Sequence, residues 1–240
     1  FSPFNALGYT PSKNFEKAAH RVKMLSLSNA FNLEDLENFE KKIFNYLNHK
    51  TEIEYSAEPK IDGISASLTY KNGVLVLGTS RGDGTTGEVI TDNLKTIKDI
   101  PKKITDKDFP KDIDIRGEVF IKKSQFNNLK NNFANPRNAA SGSLRQKNPE
   151  VTKKIPLNFV AYTFGYFESD KIKKQSDFLK SLQKWGFKIS EHNKVLKNIN
   201  ELENFHKRFE EDRFNLEYDV DGLVYKINNL ELQKRLGFTS

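Results

Sequence analysis

Cysteine is absent from the 240 residues. That excludes a disulfide framework, a cysteine-ligated zinc site and an iron–sulfur cluster within this stretch. Histidine is scarce: His20, His49, His192 and His206 show no metal-ligand spacing. Long apolar runs are also missing. None approaches the roughly 18–20 residues of a membrane-crossing helix, and the first residues lack the charged, apolar and cleavage-site order of a secretion signal. The expectation is a soluble cytosolic protein with no membrane partner. Without a low-complexity linker or an internal repeat, residues 1–240 read as one domain with ample length for a core. Phe1 stands where an initiator methionine would, so the chain reads as a piece of a longer protein.

Positive charge is in excess. Lys plus Arg is 39 against 32 Asp plus Glu, a formal +7. A nucleic-acid partner is one reading. The other is plain composition, because the chain is rich in Lys, Asn, Ile and Phe and its basic residues are interrupted by acids.

Hydrophobic spacing predicts a short helix around Phe15–Arg21 and a second, capped by Ser28 or Asn32, ending near Leu47 with Phe39, Ile43, Phe44 and Leu47 on one face. The period then changes. Ile64, Ala66, Leu68 and Tyr70 alternate with Ser65, Ser67 and Thr69, and Val74–Leu77 follows after Lys71-Asn72-Gly73. Asn-Gly tolerates positive φ at both positions, so a type I′ hairpin is predicted. Strands are expected at Asp112–Lys122, Leu157–Phe167 and Val220–Ile227. Helices are expected from Ser124 to about Asn132, at Ser176–Trp185, at Ile199–Arg213 and from Leu230. Hairpins mixed with helices favour α+β over a doubly wound parallel sheet.

Four blocks carry chemistry. The first is Glu58-Pro59-Lys60-Ile61-Asp62-Gly63. A lysine nucleophile needs a partly deprotonated amine, which a desolvated strand start or a nearby cation favours. Gly63 leaves room for a close ligand. The second is Ser80-Arg81-Gly82-Asp83-Gly84-Thr85-Thr86-Gly87-Glu88. Its glycines allow amides to converge on an anion, and Arg81 suits phosphate or a base face. A plain hairpin connection is the alternative. In Arg116-Gly117-Glu118-Val119-Phe120, a carboxylate on an apolar strand requires a partner, a metal or a sugar hydroxyl unless it faces solvent. In Asp219-Val220-Asp221-Gly222-Leu223-Val224-Tyr225-Lys226, alternation sets Leu223 and Tyr225 on one face and Val224 and Lys226 on the other. Lys226 then either faces a cleft as a phosphate-binding cation or snorkels to water.

Together these blocks resemble the motifs of polynucleotide ligases and RNA-capping enzymes. Two longer stretches sharpen the match. His20-Arg21-Val22-Lys23-Met24-Leu25-Ser26-Leu27-Ser28-Asn29-Ala30-Phe31 and Phe133-Ala134-Asn135-Pro136-Arg137-Asn138-Ala139-Ala140-Ser141-Gly142-Ser143-Leu144-Arg145-Gln146 are similar to bacterial NAD-dependent DNA ligases rather than ATP-dependent ones. Leu236-Gly237-Phe238-Thr239-Ser240 matches the same family after the Lys226 block. The blocks follow the family's order along nearly the whole chain. Lys23 departs from it, standing where proline is usual.

The resemblance implies an adenylation domain of the α+β nucleotidyltransferase fold, with antiparallel sheets and flanking helices around a nucleotide cleft. It implies that Lys60 attacks NAD, expels nicotinamide mononucleotide and carries AMP to the 5′-phosphate of a nick in double-stranded DNA. Ser26, Leu27, Glu58, Arg81, Glu118 and Lys226 match positions that hold the adenylate. Asp62 matches a residue supporting the ribose and the lysine. Arg137, Arg145 and Arg213 match contacts to DNA or to the leaving group. Mg²⁺ is implied, with Glu118 and Asp221 as metal candidates. So are a monomer and a bacterial cytoplasmic location. His20 is a candidate for shaping the purine pocket, and Tyr225 for stacking on adenine. The family's N-terminal clamp for nicotinamide mononucleotide, its last lysine motif and its C-terminal domains are not in these residues. A piece of this kind is expected to bind adenosine-like ligands near Glu58, Lys60 and Glu118, and to take AMP from NAD slowly at best. Alternatives are an ATP- or GTP-using ligase or capping enzyme, or a non-catalytic nucleic-acid-binding module.

Overall fold

The computed structural model describes residues 15–24, 33–48, 52–129 and 133–235. In chain order the elements begin β1 (Lys17–Ala19), α1 (Leu33–Leu47), β2 (Tyr55–Ile61), β3 (Ile64–Lys71), β4 (Val74–Ser80), β5 (Thr86–Glu88), α2 (Thr91–Lys95) and β6 (Asp112–Phe120). They continue α3 (Lys123–Asn128), α4 (Pro136–Leu144), α5 (Pro149–Lys153), β7 (Asn158–Phe164), α6 (Gln175–Lys184), β8 (Lys194–Leu196), α7 (Ile199–Asp212), β9 (Val220–Ile227) and α8 (Leu230–Arg235).

All strand pairs are antiparallel, in a four-stranded sheet β4-β3-β6-β7, a three-stranded sheet β8-β2-β9 and the ribbon β1-β5. This is the expected α+β architecture. The predicted hairpin forms β3 and β4, and Asn72 and Gly73 take φ of 50° and 79°, as a type I′ turn demands. The α1 face built from Phe39, Ile43, Phe44 and Leu47 packs on the three-stranded sheet together with Leu202 and Phe205 of α7. The larger core lies on one face of the four-stranded sheet. There Leu68, Tyr70, Ile113, Ile115 and Phe159 meet Leu94, Ala139, Ala140, Phe178 and Leu182 from helices. At about 25 cal/mol per Å² of apolar surface, each such side chain adds about 1.5–3 kcal/mol. With helices occupying one face of each sheet, the opposite faces are left to line a cleft.

Two local expectations fail. Residues 17–19 form a strand, because the chain pairs in register with Thr86–Glu88 instead of closing its own hydrogen bonds. Ser124 is inside α3 rather than capping it. Lys122 is the N-cap, and the Ser124 hydroxyl donates to Glu217. Among the described residues no helix is long and apolar enough to cross a membrane.

Candidate active site

The chain passes from one sheet to the other at Asp62-Gly63, between β2 and β3. Period-2 alternation on β2 buries Tyr55 and Ala57 against helices and turns Ser56, Glu58 and Lys60 to the cleft. Pairing of β2 with β9 shifts register at Lys60: Pro59 faces Leu223 but Ile61 faces Val220. Two residues of β9, Asp221 and Gly222, therefore stand opposite the single Lys60. Such a bulge bends a strand and re-aims side chains. Here it brings Asp221 to the same cavity wall as Lys60. Gly63 matters for a reason the sequence did not disclose. A Cβ there would stand 2.3 Å from the Val119 carbonyl, so close approach of β6, which carries Glu118, requires glycine.

Two spaces share Lys60, Ile61 and Glu118 in their walls. The first is a narrow slot bounded by Glu58, Tyr162, Val224, Lys226 and Asn193. In it the Lys226 ammonium donates to Glu58 Oε1 at 2.8 Å, with both side chains buried. Ser56 Oγ and Gln175 Nε2 donate to Glu58 Oε2 at 2.9 and 3.1 Å. Lys226 also donates to the Tyr162 carbonyl at 3.3 Å and lies 5.1 Å from the centre of the Tyr162 ring. Lys226 thus faces the cleft rather than snorkelling to water. Burial pushes the Tyr162 hydroxyl upward, and the nearby Glu118 charge adds to this. The slot holds free space of about 20 Å³ as its side chains stand.

The second space is a cavity of about 300 Å³ lined by Lys60, Asp62, Ser65, Arg81, Glu118, Arg137 and Asp221, among others. Glu118 receives hydrogen bonds from Ser65 Oγ at 3.1 Å and from the Tyr162 hydroxyl at 3.4 Å. Burial pushes its carboxyl up to about 8. Asp62 is raised by burial and then by the like charge of Asp221, while Arg137, at 3.5 Å, pulls it down. Among the described residues no three acidic or histidine side chains converge into a metal cage. Hard oxygen donors on a wall that already disfavours its own negative charge do fit Mg²⁺, which is typically held by one or two carboxylates together with substrate phosphates. Glu118, Asp221 and Asp62 all line this cavity.

A family model, the NAD-dependent DNA ligase adenylation domain, matches residues 12–240. The chain belongs to this family. It is 60% identical to a DNA ligase of Pelagibacter ubique over the whole chain and 36% of that ligase. It is 43% identical to a DNA ligase of Saccharophagus degradans over the whole chain and 37% of that one. The chain thus spans a little over a third of the length of these relatives. An ATP-dependent DNA ligase from bacteriophage T7, in complex with ATP, aligns at TM-score 0.40 and 16% identity over 80% of this chain and 61% of that one. That likeness adds nothing to the family assignment.

Of the positions matched to the family's motifs, Glu58, Lys60 and Lys226 gather at the slot, and Asp62, Arg81, Arg137 and Asp221 at the cavity, with Glu118 between. Arg145 lies elsewhere, 3.2 Å from Glu88. Arg213 pairs with Glu210 at 3.3 Å and borders a separate groove on α7. Ser26 and Leu27 lie outside the described residues. His20 lines a cavity on the sheet face, its Nε2 2.9 Å from the Arg81 carbonyl. Tyr225 points to the other side of β9, its hydroxyl 3.3 Å from His206 Nδ1. The aromatic at the slot is Tyr162, and the Phe-Tyr-rich run 157–167 offered no way to single it out. In the glycine-rich loop Asp83 Oδ1 accepts from Thr85 N and Thr86 N, both at 2.8 Å, while Gly82 lines the cavity. Ser56, Ser65 and Gln175 were invisible in sequence because they act through hydrogen bonds to buried carboxylates, and in the case of Gln175 also to the Tyr162 carbonyl.

Proposed function

We propose that this chain is the AMP-accepting part of an NAD-dependent DNA ligase. The observation that carries the reading is the place of Lys60, on the wall common to a slot closed by an ion pair and an aromatic ring and a wider cavity with cationic and anionic walls. The slot suits a base. Its floor and walls offer the Tyr162 ring, Val224 and the Glu58–Lys226 pair. The cavity suits ribose and phosphates, with Asp62 and Glu118 toward hydroxyls and Arg81 and Arg137 toward phosphate oxygens.

In this reading the Lys60 amine attacks the α-phosphorus of NAD. The bond from that phosphorus to the nicotinamide mononucleotide oxygen breaks, the amine loses a proton, and AMP remains as a phosphoramidate. Nucleotidyl transfer asks for positioning and charge neutralisation more than for covalent chemistry by the protein, which fits a wall of fixed cations. Glu118 or Asp221 would hold Mg²⁺, which would supply further charge neutralisation at the phosphates. AMP then passes to the 5′-phosphate of nicked duplex DNA, and the adjacent 3′-hydroxyl displaces it. Sealing belongs to the longer protein, acting as a monomer in the bacterial cytoplasm.

Intact-mass measurement of the full-length protein with Mg²⁺ and either NAD or ATP tests the reading. One AMP is expected from NAD, none from ATP and none in Lys60→Ala. AMP addition to Lys60→Ala, or addition from ATP alone, overturns it.

A further inference from the structure

Arg116 is 6% exposed on β6, and its direct bonds are not to a carboxylate. Its guanidinium donates to two backbone carbonyls, Lys23 at 3.1 Å and Val22. Its Nε is buried with no hydrogen-bond partner. A buried guanidinium without an ion pair is costly. The fold nonetheless makes room for it: a Cβ at Gly165 would meet Arg116 guanidinium atoms at 2.6–2.9 Å. Departures from the ordinary rules of burial cluster where function demands them. The carbonyls it holds belong to residues 20–24, a segment that bonds to Arg81 of the cavity wall. Its backbone is pinned by His20 N to the Thr85 carbonyl and Met24 N to the Gly84 carbonyl, both at 2.8 Å. Both of its ends touch Arg81. The Met24 carbonyl accepts from Arg81 Nε at 3.1 Å, and His20 Nε2 lies 2.9 Å from the Arg81 carbonyl.

We infer that Arg116 is a positioning residue: by gripping the carbonyls of Val22 and Lys23 it sets the height of residues 20–24 over the sheet, and through the Met24 carbonyl it fixes the direction of the Arg81 guanidinium in the cavity. Arg21 grips the same segment from the outer side. It donates to Asp112 and Asp114 at distances of 2.6–3.2 Å, and its guanidinium lies 4.2 Å from the centre of the Tyr166 ring. Alternation along β6 sets Asp114, Arg116 and Glu118 on one face. One strand therefore carries both the cavity carboxylate and the anchors of the segment that aims the cavity arginine. Only the identity of what Arg81 meets rests on the nucleotide reading above.

Hydrogen exchange and AMP titration on the full-length protein test this separately. In Arg116→Met the His20 and Met24 amides are expected to exchange about 10-fold faster or more, with β3 and β6 amides unchanged. Arg21→Met, which alters a more exposed pair, is expected to move the same amides by less and guards against a misfolded Arg116 variant. Unchanged exchange at His20 and Met24 in both overturns the inference whether or not nucleotide binds. For AMP, Arg116→Met is expected to weaken binding roughly 10-fold, the usual scale for losing a residue that orients a contacting one. Arg116→Met in an Arg81→Ala background is expected to add less than about 2-fold, because the two act as one unit. Full additivity of the two losses overturns the link to Arg81. Arg116→Lys, which keeps the charge but not the fork, is expected to recover little of either signal. Failure of the wild-type protein to bind AMP strikes the functional reading alone, since the exchange result still decides whether Arg116 holds the segment.

Discussion

At the slot end of the cleft, both oxygens of Glu58 meet donors held by three different elements: Lys226 of β9, Ser56 of β2 and Gln175 of α6. At the cavity end, the direct partners of Glu118 are the neutral hydroxyls of Ser65 and Tyr162, and burial and then the Asp221 charge raise the Asp62 carboxyl against the pull of Arg137. Glu58 and Glu118 are both buried, on strands of different sheets, yet a lysine bonds directly to Glu58 while Glu118 bonds directly to hydroxyls. The matched end is preorganised by hydrogen bonds within the fold. The unmatched end is a place where an incoming cation, or a ribose hydroxyl, completes what the fold leaves incomplete.

The largest effect that would break this contrast is at the matched end. Lys226→Met leaves Glu58 buried without its cation, and a loss of about 3–5 kcal/mol in urea unfolding is expected. Glu58→Gln together with Lys226→Met should recover more than half of it, because both charges are then gone. A single-variant loss under about 1 kcal/mol would mean that the pair is not structurally matched.

Next comes Glu118. Its folded carboxyl is raised to about 8. In the window between the ordinary glutamate range and about 8, the folded state binds more protons than the unfolded state. Stability is therefore present at low pH and falls as pH rises through that window. Glu118→Gln should remove this slope, and should be more stable than wild type by about 2–4 kcal/mol at pH 8 with little difference at pH 4.5. Parallel urea curves for the two proteins at both pH values would refute the unmatched charge.

A smaller effect is expected from Mg²⁺. It should stabilise wild type by about 1.4 kcal/mol at pH 8 at about ten times its dissociation constant, and by less at pH 6, where Glu118 holds its proton. Thermal unfolding with and without the ion should show this gain, and Glu118→Gln with Asp221→Asn should lose it. Last is Arg137, more than half exposed and 3.5 Å from Asp62. Arg137→Ala should change stability by no more than about 0.5 kcal/mol. Transfer of AMP to nicked DNA, followed in a gel, should nevertheless slow by roughly 10-fold or more if the cavity's cations act on phosphates.

Sequence patterning reached the strands at β3, β4, β6 and β9 because period-2 alternation and an Asn-Gly turn are local signals. It missed β2 as a strand, since Glu58-Pro59-Lys60 carries two charges and a proline where apolar alternation would be sought. It also missed α4 and α5. Both start on an Asn-Pro step, and each Asn side chain accepts a backbone amide of the first turn. Their apolar faces are small and short, so periodicity alone gave too little signal. Residues 17–19 fell the other way, because strand pairing with β5 is a long-range contact that no window of sequence reports.

What the amino-acid sequence determined by itself is the chemistry available: a lysine, carboxylates and arginines in an order that marks the family, with no thiols and no membrane-length apolar run. The tertiary structure alone decided which of those charges are matched. Glu58 and Lys226 are far apart in the chain and meet because β2 pairs with β9, while Glu118 is brought to Lys60 by a glycine that lets two strands touch. Partner and burial set the charge state of each carboxylate, and both are properties of strand pairing rather than of residue type.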